Sequence, residues 1–202
     1  MGEICDIIAS SLKDSVTALY EDVHVLRAIM LIGNGPIGRK RLVKELNLGE
    51  GSVRTLIGRL RCLSIISEER HGCTLTEKGA RLLNVIMDHI KLEHLALTGD
   101  HPHEVYVIVR GGASHVEKGL QERDDAIKKG AEGALVVSAY GGKIWFPSLT
   151  NLSAEYPQFA EKVKGTGIRD GDIMIISWGS SMLNAVNGAL YSAIELMKKM
   201  DI

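Results

Sequence analysis

From Glu21 to Val105 the chain has no phenylalanine, tryptophan or tyrosine, and only Tyr20 precedes Tyr106 among its aromatic residues. Proteins that hold unpaired bases stack them on aromatic rings, so this lack argues against a single-stranded nucleic acid ligand for the first half. Cysteine is scarce too. Cys5, Cys62 and Cys73 are an odd number with no C-x-x-C spacing, which excludes a disulfide framework and fits free thiols in a reducing, cytoplasmic setting. No apolar run approaches the roughly 18 residues needed to cross a bilayer, so no membrane partner is expected. The opening Met1–Asp6 lacks the basic flank and cleavage region of a signal peptide. Catalytic signatures are missing: there is no G-x-x-x-x-G-K-[ST], no G-x-G-x-x-G after a strand, no G-x-S-x-G and no H-E-x-x-H. No catalytic residue, metal or cofactor is assigned.

The charges present are unevenly placed. The whole chain carries 24 Lys and Arg against 25 Asp and Glu. Of these, 11 and 7 fall within Glu21–Arg81, so that stretch is +4 and the remainder is -5. A phosphate-binding surface needs local positive charge, which the chain average conceals. Composition thus divides the chain in two, with the join placed in Leu97-Thr98-Gly99-Asp100-His101-Pro102 by its turn and breaker residues.

In the first part, Val25, Leu26, Ile29, Met30 and Ile32 share one helical face. Gly33-Asn34-Gly35-Pro36 stops that helix. Leu42, Val43 and Leu46 mark a second helix from about Arg39, Asn47-Leu48-Gly49 a tight turn, and Val53, Leu56, Ile57 and Leu60 a third helix over Ser52–Leu63. Then come a strand (Ile65–Glu69), a turn (Arg70-His71-Gly72), a returning strand (Cys73–Leu75) and Thr76, a good N-cap for a further helix. Helix, turn, helix, hairpin and L-T-x-x-G resemble the winged helix-turn-helix family over about 60 residues.

That resemblance implies duplex DNA as the partner. Arg39, Lys40, Arg41 and Lys44 on the second helix would meet phosphates. Ser52, Arg54, Thr55 and Arg59 on the third would face the major groove, Gly58 would let the backbone approach closely, and Arg70 and His71 would occupy the wing tip. From Arg39 to Arg61 there are 7 basic and 2 acidic residues. The plainer reading is a solvated face on a protein-contact module.

Gly79 to Leu97 reads as one long connecting helix with Leu82, Leu83, Ile86, Ile90 and Leu97 on its apolar face. Such a length suggests a homodimer seam that would set two recognition helices on a palindrome. Within that helix His89 and Glu93 would stand one turn apart, although a solvated helix end is the simpler reading.

From His103 the pattern predicts a strand to Arg110, a helix over His115–Lys129, a strand over Gly133–Tyr140, a hairpin into Lys143–Pro147, a helix over Ser153–Lys164, a strand over Asp172–Trp178 and a last helix to Met200. The fold class is therefore α/β in this part and α+β overall. The domains are 1–97, with the connecting helix, and 103–202, a β-α-β-β-α-β-α domain. Two strand-to-helix turns stand out as anion cradles for a small phosphorylated or carboxylated metabolite. The first is Gly111-Gly112-Ala113-Ser114 beside Arg110, and the second is Gly179-Ser180-Ser181 followed by Asn184 and Asn187. Gln121-Glu122-Arg123-Asp124-Asp125 reads as a solvated charged face.

The stretch Gln121–Ala134, followed by Gly142-Lys143-Ile144-Trp145-Phe146-Pro147, resembles a group of uncharacterised archaeal proteins. These join a winged helix to a carboxy-terminal domain of unknown function, and the likeness implies a regulator-like layout. The expected function is a DNA-binding transcriptional regulator with a sensing or assembly domain. A nucleotide-using transferase with a winged-helix appendage and a protein-interaction module are the alternatives.

Overall fold

The computed structural model describes residues 3–12, 20–147 and 149–202, which fall into two units, Met1–Met87 and Asp88–Ile202. The first unit runs α1 (Glu3–Leu12), α2 (Asp22–Gly33), α3 (Arg39–Leu46), α4 (Glu50–Cys62), β1 (Ile66–Glu69), β2 (Gly72–Leu75) and α5 (Glu77–His89). Ile4 and Ile8, one turn apart on α1, are buried where that helix meets α2 and α4. Val25, Leu26, Ile29 and Ile32 of α2 join Leu42 and Leu46 of α3 and Val53, Leu56, Ile57 and Leu60 of α4 in the core. Between α3 and α4 the chain reverses through Asn47, whose φ of 53° is a left-handed conformation that asparagine tolerates.

Local chemistry explains the hairpin that follows. Ile37, between α2 and α3, exchanges two backbone hydrogen bonds with Cys73 (3.1 and 2.9 Å), adding a short rung to the β1–β2 ribbon. That rung brings the Ile37 carbonyl against Gly72, where a Cβ would lie 2.6 Å from it. Only glycine fits there, and its φ of +127° requires glycine as well. The Leu75-Thr76-Glu77-Lys78-Gly79 motif has an equally direct cause. Thr76 Oγ1 donates to the Ser64 carbonyl at 2.6 Å and accepts from the Gly79 N–H at 3.1 Å. Gly79 packs so closely on Ile65 that a Cβ would sit 2.0 Å from the Ile65 carbonyl oxygen.

The second unit holds β3 (Ile90–Glu93), β4 (Glu104–Val109), a 3-10 turn at Gly112–His115, α6 (Leu120–Lys128), β5 (Gly133–Tyr140), β6 (Lys143–Trp145), α7 (Leu152–Glu155), α8 (Pro157–Gly165), β7 (Ile173–Trp178) and α9 (Met182–Lys199). The sheet order is β3-β4-β7-β5-β6, and every neighbouring pair is antiparallel. β4 and β5 therefore run the same way with β7 inserted between them. α9 covers β4 and β7 on one face, and α6 packs on α9 and β5. The other face, with Tyr106, Ile108, Val137, Ala139, Met174 and Ile176, packs against Leu152, Ala160 and Val163 of α7 and α8. The whole is an α+β protein in which the strands belong mainly to the second part.

Three expectations need correction. The helix predicted over Gly79–Leu97 ends at His89, and Ile90–Glu93 is a strand paired with β4. Ile90 and Leu92 alternate with Lys91 and Glu93, a period of two that the helical reading passed over. His89 and Glu93 thus share no helix, and Glu93 pairs with Lys91 at 3.6 Å. The helix predicted from His115 begins at Leu120, because Gly119 adopts φ +74° and stands where a Cβ would meet the Val136 side chain at 2.8 Å. The helix predicted over Ser153–Lys164 is two helices, broken at Tyr156 because Pro157 starts the second in its first turn.

Candidate functional site

Burial of one face of α3 and of α4 sends their charges outward. Arg39, Lys40, Arg41, Lys44, Arg54, Thr55, Arg70 and His71 are exposed, and Ser52 and Arg59 are half-buried. Arg39 starts α3 and Arg54 lies a turn into α4, yet both reach the same carboxylate, Glu50, at 3.3 and 3.7 Å. Glu50 thereby gathers two helices' guanidinium groups into one patch. Sequence reading did not single it out, although Glu50 and Arg54 are spaced i,i+4 and the tight turn brings Arg39 close.

The patch is buttressed from behind. Arg27 of α2 donates to the Glu45 carbonyl at the end of α3 (2.7 Å), where the helix dipole favours a cation. Burial lowers the Arg27 pKa, and Glu45 offsets part of that. Arg41 pairs with Glu45 at 3.5 Å, and Arg61 at the end of α4 pairs with Glu68 of β1 at 2.8 Å, tying the helix to the hairpin. Arg59 has a different environment from its neighbours. Burial raises the Tyr20 phenol above its ordinary pKa, and the positive charge of Arg59 draws it partly back. Gly58, in mid-helix, has open space where a side chain would stand. A glycine there costs about 1 kcal/mol relative to alanine, and no packing within the unit demands it.

The two glycine-serine turns of the second unit do not form one site. Because β4 and β7 are antiparallel, with Glu104 opposite Trp178 and Val109 opposite Ile173, Arg110-Gly111 and Gly179-Ser180 lie at opposite ends of these strands, about 17–20 Å apart by strand length. The first turn already holds a carboxylate from its own chain. Asp172, 3% exposed, accepts from Arg110 Nη1 at 2.5 Å, the Gly111 N–H at 3.1 Å and the Arg169 N–H at 2.8 Å. Gly112 is buried against Leu196, and Ser114 Oγ lies 3.1 Å from His115 Nδ1. The second turn caps α9: Ser181 Oγ accepts from the Asn184 N–H at 3.2 Å, and Asn184 Nδ2 donates to Ser180 Oγ at 3.0 Å.

The charged run 121–125 is not uniformly solvated. Glu122 and Asp125 are buried, Lys199 Nζ lies 2.7 Å from Glu122, and Gln121 Nε2 donates to Asp125 at 3.1 Å. Their i,i+3 spacing on α6 was the available signal. Among the described residues, no three of His, Cys, Asp and Glu are grouped so as to hold a metal ion. No helix among them is long and apolar enough to cross a membrane.

Fold and surface define a two-unit α+β protein with a basic, mostly helical first unit and an antiparallel sheet flanked by helices in the second. The first unit matches a family described as "PH0730-like, N-terminal domain" over residues 20–81, and the second matches "Domain of unknown function (DUF4443)" over residues 101–196. The solved structure titled "Hypothetical protein PH0730 from Pyrococcus horikoshii OT3" is 32% identical, covering 91% of this chain and 96% of that one with a TM-score of 0.74. The chain belongs to the family of that archaeal protein. No curated protein matches it.

Proposed function

We propose that Glu21–Arg81 is a winged helix-turn-helix that binds double-stranded DNA, and that the protein is a dimeric transcriptional regulator whose second unit senses a ligand or mediates assembly. The observation that carries the reading is the convergence of Arg39 and Arg54, from the two helices flanking the Asn47 turn, on Glu50 within an exposed basic face. Lys40, Arg41 and Lys44 extend that face, and Arg70 and His71 stand at the hairpin tip. A helix lying in the major groove beside a helix on the phosphates needs such a distribution. Gly58 supports the same reading, since its open flank lets the α4 backbone approach a groove wall.

The test is fluorescence anisotropy with duplex DNA from upstream of the protein's own gene, in a salt series and beside scrambled duplex. If the specific duplex binds weakly, sites are selected from random DNA before the result is read. Binding should weaken steeply with salt, and Arg39→Ala and Lys44→Ala should each reduce the log-log slope by about 1. No binding to any duplex at low salt, including the random pool, refutes the reading.

A further inference from the structure

α6 and α9 leave one part of the sheet bare. On β5, Tyr140 (opposite Lys143 of β6) shares a face with Ser138 and with Trp145, which stands opposite Ser138. With Ala113, Val116 and Leu149 they line a groove of about 740 Å³, within the ~300–1,000 Å³ typical of small-molecule sites. Tyr140 is 74% exposed and Leu149 63%, the highest values among the large apolar side chains described as exposed. A concave surface lined mainly by apolar and aromatic side chains with a few polar groups is the usual form of a small-molecule site. We propose that this groove binds a small, flat, uncharged ligand, aromatic or heteroaromatic, between Tyr140 and Trp145.

Charge complementarity selects that class. About a quarter of the chain is charged, yet among the described residues that line the groove none is charged, and Lys143, opposite Tyr140 on the same face, lies outside that lining. In the nearby turn the Gly111 N–H is already taken by the Asp172 carboxylate and the Ala113 N–H by the Gly171 carbonyl, so neither is free for an anion. The Trp145 Nε1–H donates to the Tyr140 carbonyl at 3.2 Å, which orients its ring along the groove wall. The Ser138 and Tyr140 hydroxyls face the groove with no hydrogen-bond partner among the described residues, and they supply polar anchors for a ring nitrogen, hydroxyl or carbonyl. An extended peptide is disfavoured because β6 does not present a free edge. The Ile144 N–H donates to Ser153 Oγ at 2.9 Å, the Phe146 N–H donates to the Thr150 carbonyl at 2.9 Å, and Trp145 bridges Asn151. A second copy of the chain is disfavoured by size, since a stable dimer buries about 800 Å² per partner and this is a single ligand-sized hollow.

Saturation-transfer NMR on the full chain with three matched probes tests the proposal: neutral indole, anionic indole-3-acetate and cationic tryptamine. Indole should bind with Kd of about 0.1–1 mM, a reasonable figure for so small a molecule, and both charged analogues should bind at least about tenfold more weakly. Tyr140→Ala and Trp145→Ala should each weaken indole by about fivefold or more. Tyr140 is so exposed that its truncation leaves the fold intact, which near-ultraviolet circular dichroism checks. Equal binding of all three probes, no detectable indole binding, or binding unchanged in both variants overturns the proposal. So does light scattering in which Tyr140→Arg changes the oligomeric state, which would make the groove a contact between copies.

Discussion

Asp172→Ala is the most informative single change in the second unit. The carboxylate accepts three hydrogen bonds from one end of the sheet: Arg110, the Gly111 N–H and the Arg169 N–H. Arg110 keeps its bond to the Gly167 carbonyl at 3.0 Å, so its guanidinium is not wholly stranded. Gly111 and Arg169 are exposed residues, so water can reach the two orphaned N–H groups in part. Taking the low end of about 1 kcal/mol for each amide and about 1.5 kcal/mol for the charge-assisted bond gives a loss of about 3–4 kcal/mol. For a unit of this size that is a fall in Tm of about 10–15 °C. Near-ultraviolet circular dichroism is the suitable assay, because every aromatic residue except Tyr20 lies in this unit. Formate should recover part of the loss by filling the vacated acceptor position, whereas chloride at equal ionic strength should not. A Tm within about 2 °C of the parent would refute the argument.

Glu50→Gln should tighten duplex binding by about two- to fivefold at low salt, since it frees Arg39 and Arg54 at the cost of exposed pairs worth at most about 1 kcal/mol. Anisotropy titration checks this, and weaker binding would assign Glu50 a direct role in recognition. Gly72→Ala should destabilise the first unit by about 2–4 kcal/mol, because its Cβ meets the Ile37 carbonyl and its φ is positive; urea denaturation followed in the far ultraviolet measures it. Burial, and then the nearby charge of Glu68, raise the pKa of the Cys73 thiol. A raised folded-state pKa means that the native state holds its proton longer than the unfolded chain. Stability from this source is therefore complete below the ordinary thiol value and declines from about pH 9 upward. Urea midpoints across that range should fall for the parent and stay flatter for Cys73→Ala.

In the first unit the sequence was legible because each signal was local. The apolar spacing of Val53, Leu56, Ile57 and Leu60 predicted a helix over Ser52–Leu63, and the helix observed is Glu50–Cys62. Glycine and turn residues marked the hairpin, and Thr76 caps α5 through Gly79 as its position suggested. What local signals could not carry was the convergence of Arg39 and Arg54 on Glu50, since it depends on the angle the chain takes through Asn47. The connecting helix failed for a related reason. Leu82, Ile86 and Ile90 fit a helical stripe, and Ile90 also fits a strand, so a four-residue edge strand against β4 was invisible without its partner.

The second unit separates what pattern can predict from what topology decides. Strands at 104–109, 133–140 and 173–178 follow from their apolar runs. Placing ligands at the ends of strands assumed a parallel sheet, in which helix starts gather at one edge. Inserting β7 between β4 and β5 reverses one of the three central strands and sends the two glycine-serine turns to opposite ends. The antiparallel order also sets Asp172, just before β7, against Gly111, just after β4, so the Arg110 guanidinium and the Gly111 N–H of the suggested cradle meet a carboxylate of their own chain. The same topology leaves Tyr140 exposed beside the half-buried Trp145, since the short α6 shields only part of β5. Reversing a single strand thus sets Asp172 against the first of the turns the sequence suggested for an anion and leaves nearby an apolar groove whose described lining carries no charge.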